Sequence, residues 1–447
     1  MSLVTSKAGA SVYPGLILYR CLLWLALPFV ILRLWWRGRR DPTYRPRWRE
    51  RFGFYRQSIT PNALWFHTVS AGESIAAAPI IRELAEGGAS TNPLLVTTMT
   101  PTGSEQVTRL LGDCVEHCYA PYDFTFAVRR FLAHVQPRAL ILMETEIWPN
   151  LILEAKAQGI PVLLMNARLS EKSARGYHRF GWLGRPVLQA VDLIACQTEA
   201  HATHFQALGV LRERLQIVGN VKYDLDVTKD VAQDAAQLGS LLGARKRSSW
   251  IAASTHPGEE ELILQAHQQV LSVHPDALLW LAPRHTNRTT QLIPLLDHLT
   301  QPMPGGWCRY SDLTDQSTVD ASDLSVVLVD QMGVLMPLYE LADVAFMGGS
   351  LVAHGGHNPI EPASLGTPVI TGPHYVNFAQ VFADLMQAGA CITSEQSGLA
   401  NEVGQLMSNT NQRQTMGVAG GQVVAINRGA KQRSLRLLEQ HLKARQP

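Results

Sequence analysis

Residues 139–166 read ALILMETEIWPNLILEAKAQGIPVLLMN, and the fold follows from them. An apolar run at 139–143 stops at a carboxylate, a longer stretch follows, and a second apolar run occupies 162–166. Short apolar runs alternating with longer amphipathic ones predict parallel strands joined by helices that cover both faces of a sheet. The same rhythm recurs outward in both directions. Further strands are expected at 63–67, 93–98 and 193–197, and a second series at 249–253, 277–282, 326–329, 344–347 and 368–371. Helices are expected between them, for example at 75–85 and 259–270. Two series of about five strands predict two α/β domains, with a boundary near VGNVKYDLD (218–226) and a basic helix at 427–444.

In open parallel sheets, ligands bind beyond the carboxyl ends of the strands. Those ends read HTVSAGE (67–73), TTMTPTG (97–103), METE (143–146), NARLS (166–170) and CQTE (196–199) in the first series. In the second they read ASTHPGEE (253–260), APRH (282–285), VDQMG (329–333), FMGGS (346–350) and TGPH (371–374). Small, hydroxylated and charged residues at every end exceed what turns require. Two such sets facing each other across a cleft describe a GT-B glycosyltransferase built from two Rossmann-like domains.

In the second domain, Gly348-Gly349 and Gly355-Gly356 are expected to bring bare backbone together. Asn358 fits a helix N-cap, Pro359 the first helical position and Glu361 the third. That start suits a phosphate, with Glu361 on ribose hydroxyls and Arg284 as a permanent cation. A plain capping box is the bland alternative. His354 and His357 lie in a glycine-rich turn with no third ligand nearby, so no metal site is expected. Asp224-Leu225-Asp226 imitates a metal-binding DxD but falls in the expected linker. No GxGxxG fingerprint is present.

In the first domain, Glu73 follows the first strand and opens a helix. The positive end of the helix dipole should favour its ionised form, making it a ready proton acceptor, with capping as the competing role. Glu144 and Glu146 would share one face if the chain stayed extended there. Paired-carboxylate hydrolysis is a rival mechanism, but it would not call for a nucleotide pocket.

Composition bounds the setting. The 447 residues are 46% hydrophobic and 17% charged. Six cysteines without a CxxC pair point to a reducing compartment. Residues 1–56 hold eleven Lys/Arg against two Asp/Glu, whereas the remainder is net acidic. Residues 16–36, LILYRCLLWLALPFVILRLWW, have an uncharged core of only twelve residues, 21–32. A span needs roughly 20 residues, reachable if Arg20 and Arg33 snorkel, and an interfacial helix is the competing reading. Arg33, Arg37, Arg39, Arg40, Arg45, Arg47, Arg49 and Arg51 follow, with Trp35, Trp36 and Trp48 among them. The positive-inside rule puts this flank and the body in the cytoplasm. A membrane is the expected acidic surface, not nucleic acid.

HTVSAGES (67–74), TTMTPTGSE (97–105), PYD (121–123), METEIWPN (143–150), NARLS (166–170), GNVKYD (219–224), STHPGEEE (254–261), PRH (283–285) and GGSLVAHGGHNPIEP (348–362) resemble the 3-deoxy-D-manno-octulosonic acid (Kdo) transferases over nearly the whole chain. The resemblance implies a GT-B enzyme at the cytoplasmic face of the Gram-negative inner membrane, with a single-pass N-terminal anchor. It implies transfer of Kdo from CMP-Kdo to the tetraacyl lipid A precursor in lipopolysaccharide biosynthesis, without metal or cofactor. It places the catalytic base on Glu73 and transition-state stabilisers on Glu144 and Lys222. It places CMP contacts on Pro283, Arg284, Met332, Gly333, Val334, Asn358, Pro359, Ile360 and Glu361. Where the family usually reads MGEL, this chain has Met332-Gly333-Val334-Leu335, so donor affinity should be weaker if that glutamate acts through its side chain. The expected division is an anchor and basic flank at 1–40, an acceptor domain at 41–225, a CMP-Kdo domain at 226–426 and a terminal helix at 427–447. Another lipid-linked GT-B transferase, a nucleotide-sugar epimerase or a membrane adaptor without activity are the alternatives.

Overall fold

The computed structural model describes residues 14–40, 42–87, 92–179, 181–224, 230–242, 247–314 and 323–443. The chain divides into two units, 1–224 with 428–447, and 225–427.

The first unit holds a seven-stranded sheet of β1 (Leu64–His67), β2 (Leu94–Thr98), β3 (Glu116–Tyr119), β4 (Ala139–Met143), β5 (Val162–Ala167), β6 (Leu193–Cys196) and β7 (Leu215–Ile217). Their order is β3-β2-β1-β4-β5-β6-β7, and every pairing is parallel. Parallel sheets must be covered on both faces, and the apolar runs alternate accordingly. Trp65, Leu140, Leu142 and Leu164 enter one core with Phe131, Leu151 and Val187. Leu64, Phe66, Ile141 and Met143 enter the other with Ala77 and Ile81 of helix α2 (Ala71–Glu86).

The chain returns to this second core at its end. Helix Ala430–Lys443 buries Ala430, Leu435 and Leu438 there. Each leucine contributes about 1.5–3 kcal/mol by leaving water. The Asp224 carboxylate accepts hydrogen bonds from the amides of Gly429 and Lys431 at the start of that helix. Asp224 therefore binds the helix N-terminus electrostatically. Asp226 lies outside the described residues.

The second unit repeats the plan with β8 (Ser249–Thr255), β9 (Leu278–Pro283), β10 (Trp307–Arg309), β11 (Val326–Leu328), β12 (Val344–Met347), β13 (Val369–Thr371) and β14 (Cys391–Thr393). The order is β10-β11-β9-β8-β12-β13-β14, again all parallel.

Before both sheets stands helix α1 (Pro14–Arg40), 27 residues long. At about 1.5 Å per residue it measures roughly 40 Å. By length and composition it could cross a membrane.

Candidate active site

A parallel sheet opens a crevice where successive connections leave a central strand in opposite directions. In the first unit that point lies between β1 and β4. Glu73 follows β1, and Glu144 and Glu146 follow β4.

Ser70 caps α2, and its hydroxyl accepts the Glu73 amide. Glu73 folds back on this cap: Val69 N–H donates to Oε2 at 2.8 Å and Ser70 Oγ donates to Oε1 at 2.8 Å. The carboxyl is therefore both a capping group and a member of the crevice. Burial, then repulsion from Glu146, push its pKa up to about 8, against the Val69 and Ser70 hydrogen bonds. The helix dipole alone would favour ready ionisation. Desolvation opposes it and is larger, because only 8% of Glu73 is exposed.

Glu144 does not continue the strand. Its φ of 56° turns the chain into the left-handed region, so Glu144 and Glu146 do not sit on one extended face. The Glu144 carboxylate meets Lys222 Nζ at 2.7 Å and Arg168 Nε at 2.9 Å. Glu146 instead accepts from Trp148 Nε1 at 2.7 Å, and burial raises its pKa. Lys222 sits on the 3-10 turn Val221–Tyr223, which Asn220 caps through the Lys222 amide at 3.1 Å. Asn166 adopts φ 51° at the end of β5 and accepts the Val221 amide at 3.2 Å. Left-handed non-glycine residues at two adjacent strand ends are a strain that functional sites commonly retain. Arg168 was not singled out from sequence. Its one signal was its place in NARLS, beyond a strand end.

In the second unit the switch point lies between β8 and β12. Gly348 packs on the end of β8, where an added Cβ would stand 2.5 Å from the Ser254 carbonyl oxygen. The Gly-rich loop is not bare backbone. Buried Glu259 already occupies it: Oε2 accepts from His256 N (2.9 Å) and Gly349 N (2.6 Å), and Oε1 from Ser350 N (3.0 Å) and Leu351 N (2.9 Å). This carboxylate, not singled out from sequence, accepts from four backbone amides.

Arg284, Asn358 and Glu361 stand near one another. Arg284 follows β9, whose last residue is the buried Pro283, and its amide bonds Thr255 O at 3.0 Å. Asn358 Oδ1 accepts the Ile360 amide at 3.1 Å, and its Nδ2 reaches Glu361 Oε1 at 3.5 Å. Burial raises the Glu361 pKa, while Asn358 and the Arg284 charge pull it down. The helix behind them, Ile360–Ser364, has five residues and Pro359 at its cap. Its dipole is that of little more than one turn, and the fixed positive charge acting on Glu361 is that of Arg284. Met332, Gly333 and Val334 stand on the loop after β11, the strand beside β9. Gly333 has φ 86°. Val334 takes the cap of helix Leu335–Leu341 without a side-chain hydrogen bond, and Met332 is largely exposed.

His357 Nε2 lies 2.8 Å from His256 Nε2, and His256 stacks on His354. Burial, with Arg284 beside His357 and the neighbouring imidazoles beside His256, lowers these rings to about 3 and about 4. The lowered values hold His357 and His256 towards their neutral forms. Among the described residues no group of three or more His, Cys, Asp or Glu is arranged to hold a metal.

Residues 46–225 match the family model for 3-deoxy-D-manno-octulosonic-acid transferase (kdotransferase). A 3-deoxy-D-manno-octulosonic acid transferase of Haemophilus influenzae is 38% identical over 430 residues, covering 95% of this chain and 98% of that protein. One from Bordetella pertussis is 34% identical over 437 residues, covering 93% and 96%. Among solved structures, UDP-GlcNAc 2-epimerase from Neisseria meningitidis bound to UDP-GlcNAc aligns with TM-score 0.52 and 16% identity over 85% of this chain and 100% of that one. That likeness concerns the two-unit α/β fold of GT-B proteins. With two relatives this similar along almost their whole length, the chain belongs to the 3-deoxy-D-manno-octulosonic acid (Kdo) transferase family and is a glycosyltransferase.

Proposed function

We propose that the protein transfers Kdo from CMP-Kdo to the tetraacyl lipid A precursor by one inverting displacement, with Glu73 as the general base. The observation that carries this reading is Glu73 itself: a buried carboxyl, pushed up to about 8, at the switch point beside the Glu144–Lys222 pair. A base of that pKa suits proton transfer near neutral pH. Glu73 takes the proton of the acceptor's primary hydroxyl as that oxygen attacks the anomeric carbon of Kdo. The bond from that carbon to the phosphate oxygen breaks, and CMP leaves with the electron pair.

Positive charge grows on the sugar ring and negative charge on the departing phosphate. The Glu144–Lys222 pair offers a carboxylate to the first and an ammonium to the second. Pro283, Arg284, Met332, Gly333, Val334, Asn358, Pro359, Ile360 and Glu361 hold CMP, with Arg284 on the phosphate. CMP is a good leaving group, so the scheme requires neither a general acid nor a metal.

We place the protein on the cytoplasmic side of the inner membrane, attached through α1. The test is incubation of the detergent-solubilised full chain with CMP-Kdo and the tetraacyl disaccharide, followed by mass spectrometry of the lipid. Addition of Kdo supports the reading. No mass gain with folded protein overturns it.

A further inference from the structure

Helix α1 has two faces, and they differ. Gly15, Tyr19, Leu23, Val30, Leu34 and Gly38 are buried or half-buried. Their spacing of four or seven residues marks one side of a helix. Contacts run along that whole side. Gly15 packs on Trp182 with no room for a side chain. Tyr19 donates to Asp123 Oδ2 at 2.8 Å. Arg20 donates to Asn150 Oδ1 at 2.7 Å and pairs with Glu154 at 2.9 Å. Trp24 lies against Phe126, ring centroids 5.5 Å apart. At the other end Gly38 O accepts from Arg45 Nε at 2.6 Å. All of these partners belong to the first unit.

The opposite side is an unbroken apolar stripe. Leu18, Leu22, Leu25, Phe29, Leu32 and Trp36 are between 48% and 75% exposed. Charge stands beside it: Arg33, Arg37 and Arg39 are exposed on the last turns, with Arg39 stacked over Trp35 at 4.1 Å. Nearby, Arg49 lies over the exposed Trp48.

A helix crossing the bilayer would carry Gly15 and Gly38 about 35 Å apart along the membrane normal. The first unit touches the helix at both places. It would then have to enter the bilayer with its buried Asp123 and Glu154. An in-plane helix avoids this. We propose that α1 lies flat in one leaflet, docked along its length on the first unit, and that its outer stripe and flanking arginines bind an anionic lipid surface. The proposal rests on the membrane attachment proposed above and not on the transfer reaction.

The docked side also reaches the active-site loop. Asp123, which holds Tyr19, accepts the amides of Asn150 and Leu151 at 3.0 and 2.7 Å, at the start of helix Pro149–Ala157. The segment just before that helix carries Glu144 and Glu146. Tyr19 of α1 thus bonds Asp123, and Arg20 bonds Asn150 at the start of that helix.

The test uses the full chain on vesicles of phosphatidylethanolamine and phosphatidylglycerol. Exposed Cys21 and Cys114 are replaced by serine, and L18C, L25C and L32C are made singly and labelled with a fluorophore. All three sites are exposed, so folding is undisturbed. Quenching by brominated lipids reads their depth. The proposal expects equal depths, roughly 5–10 Å into the headgroup boundary. Depths graded along the helix, with Leu18 and Leu32 about 21 Å apart along the normal, overturn it. Replacing phosphatidylglycerol by phosphatidylcholine should weaken binding at least about tenfold, and unchanged binding overturns the anionic-lipid assignment. Failure to bind either vesicle overturns both this proposal and the membrane attachment. Kdo transfer to detergent-dispersed acceptor is read separately and leaves the depth result intact.

Discussion

Lys222 Nζ lies 2.7 Å from Glu144 Oε1, and Arg168 closes on the other carboxylate oxygen at 2.9 Å. Two cations on one buried carboxylate leave the group net positive. Glu144 thus orients Lys222. Lys222→Met should lower stability by about 1–3 kcal/mol, because a buried carboxylate loses a partner. Adding Glu144→Gln should restore part of that loss. Each single variant should reduce kcat by roughly a hundredfold or more, and the double variant by no more than the worse single. Thermal melts and steady-state rates on the four proteins check this, and simple additivity would dissolve the pair as a functional unit.

The Glu73 carboxyl gives a pH dependence with a definite sign. As a base it must be deprotonated, so kcat/KM should rise along a limb centred near 8. Glu73 and Glu146 interact, so the apparent value belongs to the pair. Glu146→Gln removes a repelling charge and should move the limb to lower pH. A pH–rate profile of both proteins is the measurement.

Stability carries the same signature. The folded-state pKa of Glu73 stands above its ordinary value of 4.5, so its contribution is full below that value and is lost as pH rises to about 8. Relative to Glu73→Gln, the wild type should lose up to about 1.4 kcal/mol per pH unit across that window. The difference should be flat above it. Denaturant titrations at several pH values report this difference.

Glu259 makes a further prediction. Glu259→Ala strands four amides, His256, Gly349, Ser350 and Leu351. Unsatisfied buried groups cost about 1–3 kcal/mol each before water enters. The variant should melt earlier and bind CMP at least about tenfold more weakly, as the loop beside Asn358 relaxes. Calorimetric titration with CMP tests the second effect, and unchanged affinity would separate this loop from the donor pocket.

At the chain's end, Asp224→Ala removes two charge-assisted bonds to helix Ala430–Lys443. It should destabilise the first unit by about 1–3 kcal/mol. Hydrogen exchange should show loss of protection in both that helix and α2, which share a core.

The central strands were legible because burial on both faces leaves them continuously apolar: 139–143 and 344–347 match β4 and β12 to the residue. Four strands were not anticipated, and they occupy the edges: β3 and β7 in one sheet, β10 and β14 in the other. Edge strands are short and need only partial burial, so Glu116–Tyr119 and Trp307–Arg309 show no apolar run. In the site, Glu73, Glu144 and Arg284 were visible as polar residues at strand ends. Arg168 and Glu259 were not, because their roles are contacts with elements distant in sequence. The protonation of Glu73 was misjudged for the same reason: the helix dipole is local and readable, whereas desolvation and Glu146 arrive only with the fold.

The central claim is that Glu73 is the base for Kdo transfer. Its most direct test compares wild type with Glu73→Gln for Kdo transferred per enzyme from CMP-Kdo to the tetraacyl acceptor, with CMP affinity measured on both. Glu73→Gln should lose about 10²–10⁴ in kcat, with CMP affinity unchanged. A Glu73→Gln protein that keeps more than about a tenth of the wild-type rate would contradict it.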